Sequence, residues 1–339
     1  MEYYTIDDFV SVEKYDSHVH LNIDDTTFIN QSLEDNFKLI TINVDVSSEF
    51  PTIEEQQDVA VKLSQTSAGA VNYASAFSLE NFNDDNWSYD TIASLENSFS
   101  KGAIAVKVWK NIGMKLRDKD NNFVMIDHPK FDPVFDFLVQ NDIPLIGHLG
   151  EPKNCWAPVE KMTVQGDVIY FSAHPQYHMY LHPEFPSYED HINARDRMLE
   201  KHPDLQFIGA HLGSLEWSVD ALAQRLDTFN NMAVDTAARI SHLQFQAKTN
   251  WQKVHDFCMK YQDRLIYGTD IIINETKDLL EMKKTAHDIR LRHWNFFTSG
   301  ETMSVPKVEG AFKGLKLPCE VVDKIYRTNA ERWFNLLKN

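Results

Sequence analysis

The sequence predicts an α/β fold, a single (β/α)8 barrel spanning residues 1–339, on three observations. Eight short apolar, β-rich runs alternate with longer segments of helical period, the pattern of a parallel sheet covered by helices. A chain of 339 residues fits one barrel, which takes from about 200 to over 400. No stretch rich in Gly, Ser or Pro divides the chain, and no fixed-period repeat is present. An open doubly wound sheet is the other arrangement this alternation allows.

The first run, 14–20, ends in Asp16-Ser17-His18-Val19-His20. The second, 37–46, is followed by Pro51, a favourable first helical residue, and by helical period over 53–65. Runs at 71–77 and 103–109 flank a helical segment at 89–101, and the next helix is expected at 129–140. The fifth run, 143–148, lies in IPLIGHLGEP. Beyond His148 comes an interval of about 40 residues, against about 2–6 for an ordinary βα loop, rich in proline and aromatic side chains. A connection this long at the C-terminal end of a strand predicts a lid or a substrate wall. Then come a helix at 188–201, a strand at 206–211, a helix at 216–228, a strand at 232–236, a helix at 252–261 and the eighth strand at 264–270. A C-terminal helix is expected over IYRTNAERWFNL.

Composition narrows the function. A hydrophobic share of 43% with 24% charged residues leaves ample material for a core. A net charge of −17 argues against nucleic acid or an anionic membrane surface as partner, since both would repel it. Cys155, Cys258 and Cys319 are scattered without CxxC spacing, which suits a reducing compartment. The opening MEYYTIDDFV is acidic and unlike a signal peptide, so the expected location is the cytoplasm. The expected partner is a small-molecule substrate, with a homo-oligomer as the assembly to test for. There is no GxGxxG after a strand, no GxxxxGK[ST] and no GxSxG, so nucleotide cofactors and a serine nucleophile find no support.

Chemistry enters at the strand ends. His18 and His20, two apart on one strand, project from the same face and can grip one ion together. IPLIGHLGEP, QFIGAHLGS and RLIYGTD then repeat one grammar, in which apolar residues and a glycine lead to a metal-capable side chain: His148, His211 and Asp270. In a parallel barrel all C-terminal strand ends open on one face, so residues remote in sequence converge there. Imidazole and carboxylate donors suit one divalent metal, with Zn²⁺ first and Mn²⁺, Fe²⁺ or Co²⁺ behind it. Such an ion would lower the pKa of a bound water from about 15.7 toward about 7.

Together, DSHVHLN, the two histidine-bearing strand ends, the TD of strand eight and the closing pattern of Asn329, Ala330, Arg332 and Phe334 resemble the amidohydrolase superfamily. The resemblance is to its amidohydrolase-related group of metal-dependent hydrolases and decarboxylases, and it covers nearly the whole chain. It implies a metal held by His18, His20, His148 and Asp270, with His211 beside the bound water or substrate. Asp270 would also take the proton of the attacking water and pass it on. The leading expectation is hydrolysis of a small amide, lactone or ester. The alternative is non-oxidative decarboxylation of a small carboxylic acid, and a barrel that only binds a metabolite is the third reading.

Lys107 lies in strand four, where some members of the superfamily use a carboxylated lysine to bridge two metals. The expectation here is one metal, with Lys107 facing substrate or a ligand, and a second ion only if Lys107 is carboxylated. Glu151 is a candidate to orient a ligand by hydrogen bond, Arg239 to bind a substrate carboxylate, and Trp109 to line the pocket.

Overall fold

The computed structural model describes residues 2–46 and 50–337. Among them, nine strands form one parallel sheet: β1 (Lys14–Leu21), β2 (Phe37–Ile42), β3 (Val71–Ala76), β4 (Ala105–Val108), β5 (Leu145–Gly147), β6 (Phe207–Gly209), β7 (Met232–Asp235), β8 (Leu265–Ile266) and β9 (Ile271–Ile273). Their order is β8-β7-β6-β5-β4-β3-β2-β1-β9. β8 pairs with β7 and β9 with β1, while Ser17 N–H donates to Tyr267 O at 3.0 Å between them. The two short pieces therefore share the place of one eighth strand and close the barrel.

That split departs from the single strand expected at 264–270. Asp270 adopts φ 67, a left-handed conformation that breaks the extended run, and its N–H donates to His18 O at 2.7 Å. The break turns Asp270 toward His18 and His20.

Alternation within each strand divides the core in two. Ile40, Ala105, Ile146, Ile208, Ala233 and Ile266 belong to one cluster, which the C-terminal Ala330, Trp333 and Phe334 join. Their strand neighbours Val106, Leu145, Phe207, Met232 and Leu265 pack with the helices in another. Strands buried on both faces are what a helix-covered parallel sheet requires, and each large aliphatic side chain so buried stabilises by about 1.5–3 kcal/mol. Asn329 ties the C-terminal segment down, donating from Nδ2 to Gln262 O (2.6 Å) and Leu265 O (2.7 Å) at the foot of β8.

The helix Tyr188–Lys201 has the bounds expected, because Ser187 and Asp190 form a reciprocal capping box at its start. The interval after His148 is ordered into short 3-10 turns and a helix, Gln165–Ala173. A hairpin, β10 (Thr302–Val305) with β11 (Val308–Lys313), leans on that helix, Gly166 N–H donating to Lys307 O at 3.4 Å.

Candidate metal centre

β1 and β2 lose register between Asp16 and Val19, an irregularity that re-aims the side chains at the end of β1. His18 and His20 are both almost fully buried. His18 Nδ1 lies 2.7 Å from Asp235 Oδ2, and His20 Nδ1 lies 2.7 Å from Ile42 O. A carbonyl and an ionised carboxylate only accept, so both imidazoles carry their proton on Nδ1. Each Nε2 is left with a lone pair, and both lone pairs face one oxygen of Asp270, at 3.5 Å for His18 and 3.3 Å for His20. Three acceptors pointed at one another repel unless a cation lies among them. The ligand atoms of His18, His20 and Asp270 all lie within 4.8 Å of one another, and this is the one such group among the described residues. The donor set fits a divalent metal: two nitrogens and a carboxylate oxygen, each imidazole oriented by a hydrogen bond from its far side.

Asp235 holds this arrangement together, and the sequence reading did not single it out. Its Oδ2 accepts from His18 Nδ1–H, while Oδ1 accepts from His211 N–H (2.8 Å) and Ala237 N–H (3.0 Å). Burial alone would raise its pKa, but the neighbouring His18, by charge and hydrogen bond, and then His211 hold it at about 2. The available signal was the acid ending the apolar run MAVD, one residue short of the grammar that marked His148, His211 and Asp270.

His211 comes two residues after β6, not at its end. It opens a left-handed turn with φ 58, followed by Leu212 (57), Gly213 (62) and Ser214 (56). Three of these are not glycine, and left-handed backbone costs such residues about 1–2 kcal/mol each. Fixed partners offset that strain: Asp235 accepts His211 N–H, Arg195 donates to Gly213 O (2.5 Å), and Ser214 Oγ donates to Leu149 O (3.0 Å). The turn carries the His211 ring to 5.0 Å from that of His18, with Nδ1 2.9 Å from Ala237 O. Burial lowers the His211 pKa to about 3, so the ring is neutral.

His148 stacks edge-on against His211, ring centroids 4.2 Å apart, and stands outside the compact three-residue group. Burial and then His211 push its pKa well below the usual imidazole value. Lys107 is buried with Nζ 3.5 Å from His18 Nε2; burial lowers its pKa to about 8, against the pull of Asp235 and Asp270. Trp109 stands perpendicular to His148 at 6.5 Å. Glu151 pairs with Lys110, and the structure gives it no hydrogen bond to a histidine of the centre. Arg239 donates from Nη1 to Ala238 O at 3.2 Å, and its buried Nε has no hydrogen-bond partner.

His148, His211, Asp270 and Arg239 share a cavity of about 480 Å³, walled by Glu151, Tyr170, Phe171 and Lys307. The long interval after His148 supplies one wall and the hairpin loop supplies Lys307. The hairpin had no counterpart in the sequence reading. His174 and His178, also in that interval, bond to the carbonyls of Tyr170 and Ala157 and take no part in the centre.

The sequence profile of the Amidohydrolase family matches residues 15–336. The chain belongs to that family. No curated protein matches it. Among solved structures it is similar to 2,6-dihydroxybenzoate decarboxylase from Rhizobium, at 15% identity and TM-score 0.56 over 96% of this chain and 99% of that one. It is also similar to an uncharacterized TIM-barrel protein from Bordetella bronchiseptica, with 12% identity, TM-score 0.53 and coverage of 97% and 100%. A third is the manganese-bound 5-carboxyvanillate decarboxylase of Novosphingobium aromaticivorans, with 13% identity, TM-score 0.52 and coverage of 97% of each chain. At such identities the likeness concerns the fold, and it agrees with the barrel described above. No helix among the described residues is long and apolar enough to cross a membrane.

Proposed function

We propose that this amidohydrolase-family chain is a metal-dependent decarboxylase of a small carboxylic acid. The observation that carries the reading is the clustered set of His18, His20 and Asp270, with Asp270 opening on a cavity whose wall holds a guanidinium, Arg239, with an unsatisfied buried nitrogen. The solved structures of the same fold that act on carboxylated aromatic compounds add support.

His18, His20 and Asp270 would hold the ion, with His148 a further donor on the cavity wall; zinc and manganese both suit these donors. When bound, the cation supplies positive charge that draws a substrate oxygen and steadies developing negative charge. Arg239 binds the carboxylate, Tyr170 and Phe171 give the cavity an aromatic side, and neutral His211 donates no charge of its own. The carbon–carbon bond to the carboxylate breaks, carbon dioxide leaves, and the electron pair stays on the substrate carbon. Asp270, through the oxygen not facing the histidines, hands that carbon a proton taken from water. In this reading Lys107 remains a free amine, and one ion serves the site.

Hydrolysis of an amide, lactone or ester is the second reading, and one observation favours it. Asp270 lines the cavity and its side chain is partly exposed there, beside the buried His18 and His20, so a carboxylate oxygen is open to water. An ionised carboxylate so placed is better suited to accept a proton from water than to donate one. Product analysis separates the two: the metal-loaded protein is incubated with panels of aromatic and unsaturated carboxylic acids, lactones and amides. Carbon dioxide with a product one carbon shorter supports decarboxylation, and a cleaved lactone or amide without it overturns that reading in favour of hydrolysis. Asp270→Asn should abolish either activity while the fold still melts cooperatively.

A further inference from the structure

We infer that the substrate is a small dianion whose second anionic group binds at the outer end of the cavity, between Lys307 and Arg292. The inference rests on the reading above that this cavity takes the substrate. The main cavity adjoins a smaller one of about 180 Å³, and Ala238, Ser241 and Lys307 line both. Arg239 lines the first, Arg292 the second, and Lys307 stands where they meet.

In a chain of net charge −17, cations should find carboxylates readily. Lys38, Lys62, Lys110, Lys153, Lys201 and Lys253 do. Others such as Lys115, Lys130 and Arg264 do not, and among the described residues Arg239, Arg292 and Lys307 join them, with no carboxylate oxygen within 4.0 Å of their side-chain nitrogens; what sets these three apart is that they line adjoining cavities. The acid in the same wall, Asp167, is engaged elsewhere, 3.2 Å from His242 Nε2 and accepting from Asn154 Nδ2 at 2.9 Å. Three like charges thus face adjoining spaces with no direct carboxylate partner, Asp167 and Asp270 acting on Lys307 only at a distance, and one of them, Arg239, also has a buried donor left open. One carboxylate satisfies Arg239 alone. A second anion, on the far side of a ring or short chain, satisfies the remaining pair. Arg292 offers a planar fork and Lys307 a point charge, and both accept either a carboxylate or a phosphate group.

The test is direct binding, with no turnover required. Calorimetry on the metal-loaded protein compares benzoate, benzene-1,3-dicarboxylate and 3-phosphonobenzoate. The dicarboxylate should bind about tenfold or more tightly than benzoate, the worth of one added charge-assisted contact. That margin should shrink as salt is raised. In the Arg292→Met/Lys307→Met double variant the margin of the dicarboxylate over benzoate should vanish, with circular dichroism to establish an intact fold. A margin for the phosphonate as well as for the dicarboxylate supports an anion site that reads charge at this position, whichever oxyanion carries it. Equal affinity for benzoate and the dicarboxylate overturns the dianion while leaving a carboxylate site in place, and so does a margin that survives in the variant. If neither binds, the cavity itself is misassigned, and the proposed function falls with it.

Discussion

Replacing Asp235 by Asn separates the hydrogen bonds that organise the metal centre from the ligands themselves. The carboxylate now uses one oxygen on His18 Nδ1 and the other on the N–H groups of His211 and Ala237. An amide has one acceptor. If its oxygen stays on the two backbone donors, which the left-handed turn at His211 needs, its NH2 faces His18 Nδ1. That nitrogen must then become an acceptor, so the proton moves to Nε2 and the lone pair aimed at the metal is lost. Loss of such an orienting partner typically weakens metal binding about 10- to 100-fold, or roughly 1.4–2.7 kcal/mol. The assay is competition for metal against a chromophoric chelator at pH 7, with circular dichroism to establish that the variant is folded. A variant that is folded and binds metal within about twofold of wild type, below the smallest effect expected here, would refute the assignment of His18 as a ligand oriented by Asp235.

Three further perturbations test neighbouring parts of the account. A Cβ at Gly268 would come 2.8 Å from His18 Cβ and 3.3 Å from its backbone nitrogen, so Gly268→Ala should displace His18. Metal content by elemental analysis should fall, and full occupancy would count against so tight a packing. Arg290 and Asp16 form a fully buried pair, 2.8 Å apart, and Asp16 also accepts from Thr269 N–H (2.9 Å) and Oγ1 (2.7 Å) next to Asp270. Arg290→Met leaves that carboxylate uncompensated and should cost about 3–5 kcal/mol in urea unfolding; a loss under about 1 kcal/mol, no more than an exposed pair is worth, would argue that the pair is solvated. His191 is buried, and burial depresses its pKa to about 4 from 6.5. The unfolded chain therefore takes up a proton below pH 6.5 that the folded chain refuses until about 4, so stability is complete above that window and lost as pH falls through it. From pH 7 to 5 this one group removes about 2 kcal/mol, and His191→Gln should flatten the measured decline by that amount. An unchanged slope would assign the decline to other groups.

The barrel was legible because strands buried on both faces read as apolar runs, and the helix at Tyr188–Lys201 because its capping residues are local. The floor of the site was legible for the same reason, since His18, His20 and Asp270 sit at strand ends that a barrel brings together. What the sequence hid depends on partners far along the chain. Asp235 is one acid among many until His18 and His211 are seen to share it. The break of the eighth strand rests on the left-handed Asp270, whose N–H finds His18 O more than 200 residues away. The helix Leu279–Thr298 went unread because its buried Ala286, Trp294, Phe296 and Phe297 are spread among charged residues, although Asp278 caps its start. The hairpin bearing Lys307 has only a few buried residues to mark it, Val308 and Phe312 among them.

The most direct measurement is a metal titration of the chelator-stripped protein, with bound zinc or manganese counted per chain in wild type and in His18→Ala/His20→Ala. The account predicts one tightly held ion per wild-type chain and none in the folded double variant. Retention of the ion by that variant would contradict it.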